Sequence, residues 1–270
     1  MRFFAPLRMT GLDCFVVASL LLAMTNTAIA GPIEWKEEKG DHFIVYYVND
    51  EAFAQEVKRK AEVYYDHIAS ELGYARVSNF WQWDNRVKIY IYPDEKSFRE
   101  ATGQPQWSKG VASYTEKSII TFPRNENFID GILPHEMTHL IFRDFVGFEG
   151  EIPLWMDEGV AQWQEPKKRE ISKAMAKFLL DNGKNLSLKE ITSLDIRGSQ
   201  DTEKVQEFYM QAVSLVDFLV KKYGAQVFTE FCRQLRDGKN LNEALRFSYP
   251  TSIRSLEELE NQWITYVQGG

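Results

Sequence analysis

Apolar side chains recur along this chain with two different spacings, which separate an N-terminal part from a C-terminal part. In the N-terminal part, short runs rich in β-branched and aromatic residues are typical of strands. Residues 51–72 instead place apolar side chains three and four positions apart, so a helix is predicted there, ending near Gly73. The strands are predicted at 42–48, 87–92, 110–115 and 118–122, with a short helix at about 94–101.

The chain beyond residue 130 is predicted to be helical throughout. One helix is expected from near 130–132 to about 145, and a second helix-like run opens at Pro153. The charged run 166–170 is interpreted as a solvated turn. Further helices are predicted at about 171–181, 187–194, 203–223, 225–237, 240–247 and 254–267. The predicted fold class is therefore α+β, with a lobe of mixed sheet and helices at 31–165 and an all-helical C-terminal lobe at 166–270.

Residues 1–30 have the pattern of a signal peptide and are not expected to contribute to the fold. Arg2 and Arg8 precede an apolar run of ten residues at 15–24, and Ala28-Ile29-Ala30 forms a small-x-small cleavage site. Ten apolar residues are too few to span a bilayer. We expect export to the periplasm or the cell exterior, with cleavage near Ala30 and no stable membrane span afterwards. The alternative is that the segment is kept as an N-terminal anchor.

Charge and cysteine content narrow the classes of partner. The formal net charge of −7 argues against nucleic acid or an anionic membrane as the partner, because both attract clustered Lys and Arg. Of the two cysteines, Cys14 would leave with the signal peptide. Cys232 then remains alone, so no intramolecular disulfide is expected. The sequence leaves the oligomeric state open.

The run from Pro134 to Leu140 contains His-Glu-x-x-His, and it is the motif that points to chemistry. Residues four apart lie on one face of a helix, so His135 and His139 are expected to point the same way. Two imidazoles so placed can share one Zn²⁺, and Glu136 can reach a metal-bound water. The chain has only four histidines, and two of them are in this motif. The alternative is an ordinary helix that carries these residues by chance.

A catalytic zinc needs three protein ligands and an open position for water. Glu158 lies nineteen positions after His139, with eighteen residues between them, inside the helix-like run that Pro153 opens. That separation is long enough for the chain to finish the first helix, turn and return beside it. Gly159 and Ala161 are small and would allow two helices to approach closely. Two His and one Glu form a hydrolytic zinc set, in contrast to the Cys-rich sets of structural sites.

These two motifs, with Glu158 in the context Trp-Met-Asp-Glu-Gly-Val-Ala, resemble the gluzincin metallopeptidases. Within that group the chain is similar to the small peptidase-MA-like proteins related to the aminopeptidase N family. The resemblance implies a zincin-like fold and one zinc ion. By position it implies that His135, His139 and Glu158 are the ligands and that Glu136 is the general base. Asp157 is a departure, since aminopeptidase N relatives usually have Asn there.

The resemblance also implies roles for residues outside the metal motif. The strand with Gly110, Val111, Ala112 and Ser113 would be a sheet edge that pairs with extended substrate. The alternative is an ordinary sheet edge. Tyr209 matches a tyrosine that donates a hydrogen bond to the tetrahedral intermediate, and this role is favoured over the alternative of a core or surface tyrosine. Glu165, seven residues after Glu158, either supports a metal ligand through a hydrogen bond or is an exposed acid.

One feature of the exopeptidase relatives is missing. Their edge strand reads Gly-x-Met-Glu-Asn, and its Glu binds the free amino group of the substrate. Here the strand that begins at Gly110 has no acid before Glu116. The chain is therefore predicted to be a zinc metallopeptidase that acts on peptide or protein substrates, as an endopeptidase and not an aminopeptidase. The alternative function is a zincin-shaped binding or assembly module with little turnover.

Overall fold

A computed structural model describes residues 33–73, 81–104, 109–123, 127–147, 152–196, 199 and 201–269. The predicted signal peptide lies outside these residues, so its prediction stands as made. Within the described part of the chain, no helix combines the length and the apolar character that crossing a bilayer requires.

Five strands form one mixed sheet. They are β1 (Lys36–Lys39), β2 (Phe43–Tyr47), β3 (Val87–Ile91), β4 (Gly110–Ser113) and β5 (Ser118–Thr121). Their order is β1-β2-β3-β5-β4, with β2, β3 and β5 parallel and the two edge strands antiparallel to their neighbours. The strands β2 and β3 bury alternate side chains, as period-two patterning requires, whereas all four residues of β5 are buried. The strand β1 was not predicted, because its four residues are all charged and show no alternation of apolar and polar positions.

Two helices connect these strands. The helix α1 (Glu51–Glu71) starts at Asp50, whose side chain accepts from the Phe53 N–H at 3.0 Å, and it packs on β2. The helix α2 (Glu95–Thr102) is capped by Asp94 in the same way, and Gly103 ends it in the left-handed conformation. Phe98 of α2 packs with Ile120 and Phe122 in a small apolar cluster separate from the main core.

Two consecutive helices follow the sheet. The helix α3 (Leu133–Val146) is preceded by a π-helical turn at Phe128–Ile132, which occupies the start that the sequence assigned to the helix itself. Pro134 lies in the first turn of α3, where a missing N–H is tolerated. The helix α4 (Leu154–Trp163) begins directly after Pro153. Both helices contribute side chains to the main hydrophobic core.

The remaining elements are helices, so the predicted α+β class with a helical C-terminal region is confirmed. They are α5 (Pro166–Asp181), α6 (Leu188–Ser193), α7 (Thr202–Tyr223), α8 (Ala225–Arg236), α9 (Leu241–Ser248) and α10 (Leu256–Gln268). The prediction of a solvated turn at 166–170 is wrong, because these residues form the first turn of α5. Proline is favoured at the first helical position, and Lys168 and Arg169 are held by carboxylates. The division at residue 165 stays a prediction.

The contact between α4 and α7 depends on one glycine. A Cβ atom on Gly159 would lie 2.6 Å from the carbonyl oxygen of Ala212 and 2.8 Å from Cγ2 of Val216. Both distances are too short for a real contact, so only glycine allows the two helices to come this close. The position of Glu158, the preceding residue on α4, is therefore fixed by the packing of α4 against α7.

Candidate metal centre

The helix α3 brings the two motif histidines together. Their Nε2 atoms lie 3.1 Å apart, and their rings meet edge to face at an angle of 78°. Both side chains are buried. The i, i+4 spacing is responsible, because it places both imidazoles on the same face one turn apart.

Carboxylates fix which nitrogen of each ring faces the other ring. His135 Nδ1 lies 2.9 Å from Glu165 Oε1, and His139 Nδ1 lies 3.1 Å from Asp157 Oδ1. A carboxylate accepts a hydrogen bond, so each Nδ1 carries the proton when the imidazole is neutral. The two Nε2 lone pairs then face each other, and a cation between them satisfies both.

Glu158 of α4 supplies the third candidate ligand. Its Oε2 lies 3.8 Å from His135 Nε2 and 3.7 Å from His139 Nε2. This oxygen is buried, and it has no hydrogen-bond partner among the described residues. Tetrahedral bonds of 2.0–2.2 Å place ligand atoms roughly 3.3–3.6 Å apart, close to the three distances here. The donor set and its spacing therefore fit zinc.

Glu136 is the second carboxylate of the site. Its side chain is 1% exposed, and Oε1 has no hydrogen-bond partner in the described part of the chain. Burial raises the pKa of Glu136 to about 7, although a hydrogen bond from the Ala112 backbone opposes the shift. Ala112 belongs to β4, so the candidate base lies directly beside that strand.

Burial and charge also perturb the pKa values of the candidate ligands. Burial raises the pKa of Glu158 to about 8. Burial lowers the pKa of His135 to about 4, although Glu165 opposes this. For His139 burial acts in the same direction, but Asp157 and Glu158 outweigh it and raise the pKa to about 9. Metal ligands must be deprotonated, so a cation that binds here displaces protons from His139 and Glu158.

The strand β4, with Gly110, Val111, Ala112 and Ser113, stands last in the sheet order of the described residues. It packs against α3. Ala112 is buried, whereas Val111 and Ser113 are half-buried. The predicted edge position is thus found, while the pairing of this strand with substrate stays a prediction.

Tyr209 lies in α7, 9% exposed, with its ring edge to face against Phe208 at 5.7 Å. It is one turn before Ala212, the residue that approaches Gly159 of α4. The helix that carries Tyr209 therefore packs on the helix that carries Glu158. Its role as a hydrogen-bond donor to the reaction centre stays a prediction.

Besides Asp157, three residues near the histidines were not assigned to the metal site from the sequence. Arg143 donates to Asp157 Oδ2 from Nε at 3.1 Å and from Nη2 at 2.7 Å. Lys168 lies 2.8 Å from Glu165 Oε1. The Tyr114 ring meets the His139 ring edge to face with centroids 6.5 Å apart. Arg143 is four residues after His139, and that helical spacing was the available signal.

A mixed sheet followed by two helices that present two His and a Glu is the arrangement of a zincin-like fold. Residues 78–269 match the family model of the Peptidase MA superfamily, and the chain belongs to that family. The family and the His-His-Glu site support a zinc metallopeptidase. The predicted resemblance to peptidase-MA-like proteins is confirmed.

Two solved structures of the M1 zinc metallopeptidase from Deinococcus radiodurans, one of them a point mutant, are similar to this chain. Each is 14% identical with a TM-score of 0.48, and the match covers 88% of this chain. It covers 53% and 52% of those chains, so this chain spans about half their length. No curated protein matches the sequence.

Proposed function

We propose that this chain is an exported zinc metallopeptidase that cuts peptide bonds inside chains, with one zinc ion held by His135, His139 and Glu158. The observation that carries the proposal is the convergence of two imidazole nitrogens and one carboxylate oxygen within 4.8 Å, all buried. Glu136 lies on the same helix with a buried, unpartnered oxygen among the described residues. Packing alone gives no reason to bury these polar groups, because an unsatisfied buried oxygen is destabilising.

The chemistry then divides among named groups. A zinc ion bound there would supply Lewis-acid activation of a water molecule and of the scissile carbonyl. Glu136 accepts the proton of that water and delivers it to the leaving amine. Tyr209 is proposed to donate a hydrogen bond to the developing oxyanion.

The strand β4 is proposed to position the substrate. An extended peptide that pairs with a sheet edge uses backbone donors and acceptors, so its binding depends little on side-chain identity. The contact between Ala112 and Glu136 supports this reading, because a peptide on β4 would lie beside the base.

Endopeptidase action is supported because neither Glu116 nor Asp157, the two acids considered near β4, is placed to bind the free amino group of a substrate. Recognition of a buried substrate ammonium needs a carboxylate beside it. Glu116 lies in the turn between β4 and β5 and is exposed. Asp157 is already bound by His139 and Arg143. Ser113 offers a hydroxyl, which cannot balance a positive charge.

The test is hydrolysis of a quenched peptide library, with and without a chelator, by the wild type and by Glu136→Gln. Chelator-sensitive cleavage that Glu136→Gln abolishes is expected, whereas binding without cleavage would favour a binding or assembly module. One peptide with a free and an acetylated N-terminus then separates the modes of cleavage. Internal fragments from both forms are expected. Stepwise release of single residues from the free form alone would overturn the endopeptidase assignment.

The proposal of export rests only on the signal-peptide pattern of residues 1–30. The full chain expressed in a Gram-negative bacterium is expected in the periplasmic fraction, with a mass that lacks these residues. A full-length product in the membrane fraction would instead indicate a retained anchor.

A further inference from the structure

Two chains of contacts run outward from the candidate ligands, and they differ in geometry. His139 contacts Asp157 through Oδ1, and Arg143 takes the other oxygen, Oδ2, with two N–H donors. His135 contacts Glu165 through Oε1, and Lys168 binds that same oxygen. Asp157 therefore uses a different oxygen for each of its two partners. Glu165 uses the same oxygen for both of its partners.

The Arg143 contact is the one that can orient a carboxylate. Two donors that diverge from one planar guanidinium fix both the position and the plane of the acceptor, whereas an ammonium acts as a point charge. With Oδ2 occupied, Oδ1 is the oxygen presented to His139. Asp157 is 3% exposed, so little water competes for either oxygen.

The side chain of Arg143 also lies near that of Tyr114, the residue directly after β4. The Tyr114 ring in turn packs edge to face against His139. Residues from α3, α4 and the end of β4 thus surround one another as neighbours: His139, Asp157, Arg143 and Tyr114. The His139 ring is held from its Nδ1 side by the carboxylate and at its edge by the tyrosine.

We propose that Arg143 is a positioning residue of the metal centre. It holds Asp157 in the orientation that keeps the Nδ1 proton on His139 and aims Nε2 at the metal. Lys168 brings the same positive charge near His135, but it does not orient the carboxylate of Glu165. This inference rests on the proposed zinc site, and it concerns how firmly that site holds its ion.

The test is zinc release from the loaded wild type into excess chelator, compared with Arg143→Lys, Arg143→Met and Lys168→Met. Loss of a residue that supports a metal ligand lowers affinity by about 10–100-fold. Both Arg143 variants are therefore expected to release zinc at least about 10-fold faster, although Arg143→Lys keeps the charge. Lys168→Met is expected to release zinc no faster than the wild type, because removing a positive charge near a cation does not weaken its binding.

Two further measurements separate positioning from a general loss of structure. In the cobalt-substituted protein, the visible bands report ligand geometry, and they are expected to change in Arg143→Lys and not in Lys168→Met. In an Asp157→Asn background, Arg143→Met should add little to zinc release, since the carboxylate through which it acts is gone. Arg143→Lys is expected to fold even if Arg143→Met does not.

Zinc release from Arg143→Lys at the wild-type rate would overturn the inference. Equal acceleration in Arg143→Met and Lys168→Met would also overturn it, because a residue that does not orient its carboxylate would then matter as much as Arg143. A wild type that binds no zinc would instead refute the proposed metal site, so the two failures are distinguishable.

Discussion

Replacement of Gly159 by alanine places a methyl group where α4 and α7 meet. The new Cβ would lie 2.6 Å from the Ala212 carbonyl oxygen and 2.8 Å from Val216 Cγ2. The valine side chain can rotate away, but the carbonyl belongs to the backbone of α7. An ordinary contact begins at 3.4 Å, so the two helices must separate by roughly 0.8 Å to restore one.

The expected loss of stability is the balance of two effects. Overpacking of a tight contact destabilises by about 1–3 kcal/mol, and the upper end applies because backbone is struck. Alanine in a helix interior recovers about 1 kcal/mol relative to glycine. The net loss is about 2 kcal/mol, which lowers Tm by about 4–8 °C in a chain of this size. The displacement also moves Glu158, the adjacent residue, so weaker zinc binding is expected.

Thermal unfolding and zinc titration of Gly159→Ala measure both effects. Gly183→Ala is the control, since nothing lies within 4 Å of its added Cβ and its cost arises from a φ of +63°. Left-handed backbone costs about 1–2 kcal/mol, so the control should lose similar stability and keep its zinc affinity. A Tm for Gly159→Ala at or above the wild-type value would refute the close approach of α4 and α7.

Three further predictions concern the site itself. His139→Ala should remove zinc, because only His135 and Glu158 remain as ligands, and unchanged zinc in metal analysis would contradict the assignment. At saturating zinc, Glu136→Gln should keep the metal and lose turnover, whereas in Tyr209→Phe the rate of hydrolysis should fall about 10²-fold. A near-normal rate in one of these variants would exclude the role proposed for that residue. Burial raises the pKa of Glu158 to about 8 and of Glu136 to about 7. The folded metal-free protein thus binds protons more tightly than the unfolded chain, and it should lose stability as pH rises from about 4.5 to 8. The increase in Tm caused by zinc should then be larger at pH 8 than at pH 6, and a smaller one would contradict the sign.

Local periodicity was sufficient to predict the elements that carry the metal motif. The spacing of His135 and His139 has a fixed meaning in a helix, and Pro153 marked the start of α4. The same reasoning failed at 166–170, where a charged run was assigned to a turn although it begins α5. Charge pattern alone does not show that Lys168 and Arg169 meet buried or half-buried carboxylates in the folded chain.

The network around the histidines could not be predicted, because it depends on contacts between elements. Helical spacing places Arg143 on the same face as His139, but nothing local pairs it with Asp157. That pair requires the packing of α3 against α4. Tyr114 likewise reaches His139 only because β4 packs on α3. Sequence reasoning therefore identified the candidate ligands, and the structure supplied the residues that orient them.

The two edges of the sheet differ in how they treat an incoming strand. The edge at β1 reads Lys-Glu-Glu-Lys, with three of the four residues exposed. Charged, short edge strands discourage backbone pairing with another chain, because pairing would desolvate their charges. The edge at β4 reads Gly-Val-Ala-Ser and carries no charge. Charge therefore discourages strand pairing at the β1 edge, and we propose that the β4 edge, beside Glu136, is where an extended segment can pair.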